Sequence, residues 1–250
     1  MPSIDIRKPL KKFLPHLLQA KADDLNEADT VQRVIKVFED VLGYSALSEI
    51  TRESSIKDKY VDLAIKVDGR IRLLVEVKSA GTALRDRHIE QAERYAAEGN
   101  YRWVVLTNGT AWNLYHLTFE EGIEYEKVFM IDLATEELEK AGTCLALLHR
   151  KSVSKGHHDD HWAHRVAMNA TSIAKTLFSE EVLRMIRRDI RKREGLSVDE
   201  EDLANALHEM MSPEAREQMG PMRIRRRQKA AAKKSVGGDE ATASGGTDPE

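Results

Sequence analysis

The chain has 250 residues, of which 32% are charged and 6% aromatic, and its formal net charge is −3. This balance provides no overall basic surface, so any contact with nucleic acid must be local. The single cysteine, Cys144, excludes an internal disulfide and fits a reducing compartment. No apolar run reaches the about 20 residues of a membrane span, so we expect a cytoplasmic protein without a membrane partner.

Residues 1–24 form a basic lead-in with a short amphipathic helix. Asn26 is a favourable N-cap for the next helix, and Gly43 ends it. The alternation of apolar residues then predicts strands near residues 48–53, 60–67, 70–78, 103–106, 111–117 and 125–131, with a helix at 85–98. This order predicts an α/β domain over residues 25–132, with a mixed sheet flanked by helices.

Residues 133–211 have helical periodicity, which predicts an α-helical C-terminal extension that could recruit a protein partner. Residues 212–250 are polar, first basic and then acidic, and their composition predicts a disordered tail. Its basic run could bind DNA phosphates or simply be solvated, and we single out Arg223, Arg225, Arg226 and Arg227. Another cluster of residues could be a zinc site, but a polar helix start is favoured: His157, His158, Asp159, Asp160, His161 and His164.

The two strands at 60–78 hold the candidate catalytic and metal-binding residues. Their apolar residues alternate and predict one buried face, while Asp62, Glu76 and Lys78 have the other parity. Two carboxylates and an ammonium suit Mg²⁺-assisted phosphodiester hydrolysis, in which Lys78 neutralises charge or orients water. The carbonyl of Val77 is a further candidate ligand. A solvated face with an ion pair is the alternative interpretation.

The turn between these strands decides whether the carboxylates meet. A strict two-residue turn would place Asp62 opposite Val75, on the other face from Glu76. A three-residue loop with a bulge pairs Lys66 with Arg70 and leaves Asp62 diagonal to Glu76, about 7–8 Å away. A metal site therefore requires a bulged turn.

Two helices add candidate groups. Gln91 and Tyr95 are four residues apart on one predicted helix, so both could contact a phosphate or fix Lys78; an ordinary exposed face is the alternative. Glu27 is either a further metal carboxylate or a favourable charge in the first turn of its helix.

The order of these motifs, over residues 25–132, resembles the PD-(D/E)xK nuclease superfamily. More narrowly, it resembles the N-terminal nuclease domain of the R subunit of type I restriction enzymes. The motifs are Asn26-Glu27-x-x-Thr30, Leu42-Gly43-Tyr44, Asp62, Glu76-Val77-Lys78-Ser79, Gln91-x-x-x-Tyr95, and Leu106-Thr107-Asn108-Gly109 with Trp112.

The resemblance implies a restriction-endonuclease-like fold and a DNA endonuclease of restriction, repair or defence type that requires Mg²⁺ or Mn²⁺. It also implies that Asp62 and Glu76 bind metal, Lys78 is catalytic and Gln91 supports it. Val61 precedes Asp62 where the superfamily has proline. The 250 residues hold no G-x-x-x-x-G-K-[S/T], so we expect no ATP-driven translocation. The alternative is an inactive DNA-binding or regulatory module on the same fold.

Overall fold

The computed structural model describes residues 4–56, 59–120 and 122–224. The chain divides into two compact units, Met1–Val166 and Ala167–Glu250. Within the described ranges, no helix combines the length and apolar character needed to cross a membrane.

In the described part of the first unit, six strands form one sheet in the order β1-β2-β3-β4-β5-β6. The β3–β4 pair is parallel and the other neighbours are antiparallel. Since parallel neighbours need a crossover, the chain passes through the helix Glu90–Gly99 between them. The strands are β1 (Ile50–Ile56), β2 (Lys59–Val67), β3 (Arg70–Val77), β4 (Trp103–Thr107), β5 (Ala111–Thr118) and β6 (Glu124–Asp132).

Helices cover both faces of the sheet. One face packs with α2 around Phe38, Val75 and Trp112, and the other packs with α3 around Leu74 and Tyr95. This arrangement confirms the predicted α/β fold with flanking helices. The helices of this unit are α1 (Arg7–Ala22), α2 (Glu27–Asp40), α3 (Glu90–Gly99), α4 (Leu138–Leu145), α5 (Arg150–Ser154) and α6 (His157–Ala167), with short 3₁₀ helices at Asp86–Ile89 and Ala146–Leu148.

The larger core includes residues that precede the strands in the sequence and residues that follow them. Leu10 and Leu17 of α1 and Leu145 of α4 are buried in the same cluster as α2. Tyr44 donates its buried hydroxyl to the carbonyl of Leu148 at 2.9 Å, which ties the end of the α2 region to the segment after α4. The lead-in and the first helices after β6 are therefore part of the packed unit.

The turn of the β2–β3 hairpin has two residues. Val67 pairs with Arg70, and the intervening Asp68 and Gly69 have φ values of 52° and 74°. Two positive φ values match the turn that an Asp-Gly pair favours in tight hairpins. The predicted three-residue loop that pairs Lys66 with Arg70 is therefore wrong.

The hairpin nevertheless contains a bulge, which lies within β3 rather than in the turn. Lys66 pairs with Ile71 whereas Ile65 pairs with Leu73, so Arg72 is an extra residue in β3. The bulge changes the face of the strand: Ile71 packs against the α3 cluster, and Leu73 belongs to the larger core. Alternation in the sequence predicts that Ile71 and Leu73 share a face, and the extra residue is the reason that this prediction is wrong.

The second unit is a small helical cluster. Phe178, Leu183 and Ala204 are buried at its centre. The composition of the segment after 211 predicts disorder, but Ser212 caps a further helix by accepting the N–H of Ala215 at 3.2 Å, and Met219, Met222 and Ile224 pack against the cluster. The helices are α7 (Ala170–Leu177), α8 (Glu180–Glu194), α9 (Glu200–Glu209) and α10 (Pro213–Met219). Within the predicted helical segment 133–211, residues 157–177 form two helices, α6 and α7.

Candidate metal-binding active site

The Arg72 bulge brings the two hairpin carboxylates to one face. Beyond it Leu63 pairs with Val75, and the same register continued by one residue sets Asp62 opposite Glu76. Asp62 Oδ2 accepts the backbone N–H of Val77 at 2.7 Å. The site residues therefore lie at the end of β3, with Asp62 fixed against the neighbouring strand.

Glu76 is a buried carboxyl group. Its residue is 2% exposed, and its Oε1 accepts a hydrogen bond from Lys78 Nζ at 2.7 Å. Its Oε2 is buried and has no hydrogen-bond partner among the described residues. Burial, and then the nearby charge of Asp62, raise the pKa of Glu76 to about 7, although Lys78 opposes the shift. Burial also raises the pKa of Asp62.

Lys78 follows β3 directly. Its backbone N–H donates to the carbonyl of Thr107 at 2.8 Å, which continues the parallel pairing with β4 and fixes the lysine backbone. Its Nζ lies 2.7 Å from Glu76 Oε1 and 3.5 Å from Glu27 Oε2. Burial alone would lower the pKa of Lys78, but the bond to Glu76 and the carboxylates around it give a net increase. The ammonium therefore stays charged.

Glu27 reaches the site from the first residue of α2. The predicted N-cap is confirmed, since Asn26 Oδ1 accepts the N–H of Asp29 at 2.9 Å, and this cap sets where the helix begins. The carboxylate of Glu27 contacts Lys78, and its charge contributes to the raised pKa of Glu76. In this arrangement Glu27 acts on the lysine; its role as a metal ligand stays a prediction.

Gln91 and Tyr95 both point from α3 towards the first two strands. Gln91 Nε2 donates to the carbonyl of Tyr60 at 3.1 Å, two residues before Asp62. Tyr95 is 1% exposed, and its hydroxyl forms a 2.6 Å hydrogen bond with the hydroxyl of Ser54. The predicted contact between Tyr95 and a DNA phosphate is therefore wrong, because the side chain of Tyr95 is enclosed in the core.

The remaining predicted residues lie elsewhere or act differently. The backbone N–H of Val77 donates a hydrogen bond to Asp62. The role of the Val77 carbonyl as a metal ligand stays a prediction. Arg223 is exposed in the second unit, whereas Arg225, Arg226 and Arg227 lie outside the described residues. The described chain holds no cluster of three or more His, Cys, Asp or Glu side chains arranged to hold a metal ion, neither at 157–164 nor with Glu27 added to Asp62 and Glu76.

Two contributions to the site were not anticipated. Glu53 of β1 adopts a positive φ of 46°, and its charge helps to raise the pKa of Asp62. Asn108, which has no role beyond the Leu106-Thr107-Asn108-Gly109 motif in the sequence prediction, donates from Nδ2 to the carbonyl of Thr82 at 2.8 Å and so holds the loop that follows Lys78. The motif around Asn108 is a signal in the sequence, whereas nothing in the local sequence marks Glu53.

A mixed sheet with a crossover helix and an Asp–Glu–Lys set on one hairpin is similar to the PD-(D/E)xK nucleases. A family model described as Type I restriction enzyme R protein N terminus (HSDR_N) matches residues 26–131. The resemblance found in the motifs is thereby confirmed for that part of the chain. No curated protein and no solved structure matches the chain.

Proposed function

We propose that this protein is a metal-dependent DNA endonuclease. The observation that carries the proposal is the buried Glu76 carboxyl group, whose Oε2 has no partner in the described chain, with Asp62 and Lys78 beside it. A carboxylate oxygen enclosed without a partner is unfavourable unless a function requires it. The family of residues 26–131 points to DNA as the substrate.

The donor set fits Mg²⁺ or Mn²⁺. Carboxylate oxygens are the ligands of these hard ions, which need only one or two protein carboxylates when water and phosphate complete the shell. Asp62 and Glu76 would hold the ion, and its charge would offset the burial that raises both pKa values and the charge of Asp62 that further raises the pKa of Glu76. A bound ion would polarise the scissile phosphate and lower the pKa of its water.

Lys78 stabilises the charge that develops on the phosphate. It lies on the same face as Glu76, remains protonated, and is positioned by its backbone bond to Thr107. A fixed cation near developing negative charge lowers the barrier without reorganisation during the reaction. Glu27 holds the ammonium from the other side, and Gln91 fixes β2 just before Asp62.

The decisive test is nicking of supercoiled plasmid with Mg²⁺ or Mn²⁺, comparing the wild type with Asp62→Asn and Lys78→Ala. We expect a loss of at least about 100-fold in each variant, the size found when a group that stabilises transition-state charge is removed. Asp68→Asn is the matched control, because Asp68 lies at the hairpin tip and Asn tolerates positive φ.

Equal nicking by all proteins would attribute the activity to contamination or to another site and would overturn the proposal. DNA binding without nicking under any metal condition would favour the alternative, an inactive binding or regulatory module. Calorimetric titration with Mn²⁺ gives a separate readout, since Asp62→Asn should lose the binding isotherm whether or not the DNA substrate is the right one.

A further inference from the structure

Residues 79–89, the site loop, connect β3 to α3 and begin at the candidate active site. The loop starts directly after Lys78. The N–H of Ala80 donates to the carbonyl of Leu25 at 3.0 Å, which holds the start of the loop against the residues that precede α2. Since α2 begins with Glu27, this end of the site loop lies beside the site.

The other end of the site loop leads into α3, which is attached to β2. Gln91, in the first turn of α3, donates to the carbonyl of Tyr60 at 3.1 Å, and Tyr60 lies two residues before Asp62 on the same strand. Between the two ends, the carbonyl of Thr82 accepts the side-chain amide of Asn108 at 2.8 Å. These bonds fix the course of the site loop next to the candidate catalytic residues.

The last turn of the site loop is basic. Arg85 and Arg87 are exposed, and neither guanidinium forms an ion pair within the described part of the chain. His88 Nδ1 accepts the N–H of Arg85 at 3.3 Å, which fixes the backbone at the start of this turn. Burial, and then the charges of Arg87, Lys78 and Arg85, lower the pKa of His88. Lys78 and the two arginines therefore lie within electrostatic reach of one imidazole.

The acidic residue between the two arginines has a cation of its own. Asp86 Oδ1 accepts the hydroxyl of Tyr115 at 3.2 Å and lies 2.9 Å from Lys127 Nζ. Tyr115 belongs to β5 and Lys127 to β6, so the carboxylate is engaged with the sheet. The turn therefore keeps a net positive charge on its exposed arginines.

The candidate active site is itself acidic, which opposes the approach of DNA. The charges of Glu27 and Glu53 both act on Asp62, and Glu76 lies beside it. Lys78 is already paired with Glu76 and Glu27. A divalent ion would balance only part of this negative charge, and duplex DNA carries one further negative charge per about 1.7 Å of its axis. A substrate bound here therefore needs cations next to the site.

We propose that Arg85 and Arg87 bind backbone phosphates of the DNA next to the phosphate that is cleaved. The inference rests on the proposed nuclease activity and names residues that hold the substrate, which take no part in the chemical step. The planar guanidinium matches phosphate oxygens with paired N–H donors. Phosphate contacts fix the register of the duplex and carry no sequence information, so the site loop would orient DNA of any sequence.

The test is the salt dependence of DNA binding, measured by fluorescence anisotropy of a labelled duplex with Ca²⁺, also a hard cation, in place of Mg²⁺. Arg85→Gln and Arg87→Gln should each reduce the slope of log K against log salt by about 1 and weaken binding roughly eightfold at about 0.1 M salt. Arg70→Gln is the matched control, because Arg70 is exposed at the opposite end of β3 from Glu76. It removes the same charge and should keep the wild-type slope.

Two further measurements separate phosphate binding from a structural role of the arginines. Arg85→Lys/Arg87→Lys keeps both charges and should retain the wild-type slope. In plasmid nicking, Arg85→Gln/Arg87→Gln should raise KM and leave kcat unchanged, while circular dichroism checks that each variant is folded.

An unchanged slope in Arg85→Gln/Arg87→Gln, a reduced slope in the Lys variant, or an equal loss in Arg70→Gln would each overturn this inference while wild-type nicking still supports the nuclease. Absence of both DNA binding and nicking by folded wild type would overturn the proposed function and this inference together.

Discussion

Glu76 presents its two oxygens to different surroundings: Oε1 lies 2.7 Å from Lys78 Nζ, while Oε2 is buried without a partner in the described chain. Oε1 is thus paired with the ammonium of Lys78, and Oε2 is available to bind a metal ion. The carboxyl group is destabilising when charged and unbound, which connects the stability of the fold to the occupation of the site.

Glu76→Gln should stabilise the metal-free protein at alkaline pH. The pKa of Glu76 is raised from its ordinary 4.5 to about 7, so its contribution to stability is present below pH 4.5 and is lost as the pH rises through 7. Gln stays neutral throughout. We expect the free energy of unfolding at pH 8 to rise by about 1–3 kcal/mol, measured by urea denaturation, with no gain at pH 4. A gain of equal size at both pH values would contradict this account.

Glu27→Gln should reduce nicking about threefold to tenfold while leaving the fold unchanged, because Glu27 is half-exposed and acts through Lys78. The pH profile distinguishes this positioning role from a structural one: weaker negative charge beside Lys78 should move the alkaline limb of the profile to lower pH. Glu39→Gln, at the other end of α2, is the control and should leave both the rate and the profile unchanged. An unshifted profile in Glu27→Gln would argue against the positioning role.

Tyr95→Phe should cost stability and not DNA affinity. The hydroxyl of Tyr95 bonds to Ser54 at 2.6 Å in a part-buried position, so its removal should lower the free energy of unfolding by about 1 kcal/mol. Electrophoretic mobility shifts with metal-free DNA should match those of wild type. A fall in DNA affinity without a change in the free energy of unfolding would instead assign Tyr95 to the DNA-binding surface.

Acid should weaken the contact between α6 and the sheet, where the ring of Trp162 stacks on that of His116. The pKa of His116 is lowered to about 4 from its ordinary 6.5, so its contribution is intact above pH 6.5 and declines as the pH falls towards 4. Asp159 opposes this shift, while Arg102 and His158 reinforce it. Relative to His116→Gln, wild type should lose about 2–3 kcal/mol between pH 7 and pH 4 in urea denaturation. Parallel pH curves for the two proteins would refute the prediction.

Features set by neighbours in sequence were predictable. The Asn26 cap and, to within one residue, the bounds of the last five strands depend on local chemistry, and the structure agrees with them. A cap or an alternating strand leaves its mark within a few residues.

Features set by distant partners were not predictable. Whether Tyr95 is exposed depends on where β1 lies, and the burial of His158 depends on Trp103, whose ring lies 5.0 Å away. Met222 and Ile224, which follow α10, pack against the helical cluster, in a segment whose composition is otherwise polar. The bulge leaves no mark in the sequence, because the apolar alternation runs unbroken through Ile71 and Leu73.

The extra residue at Arg72 also determines where the hairpin tolerates a change in length. If Arg72 were absent, Lys66 would still pair with Ile71 and Ile65 with Leu73, and the ladder would be regular. A relative one residue shorter at this point could therefore keep the same active face. Loss of one residue between Leu73 and Glu76 would instead turn the carboxylate to the other side of the sheet. A relative that lacks one residue at the bulge can therefore still assemble the site. A relative that lacks one residue between Leu73 and Glu76 shares only the fold.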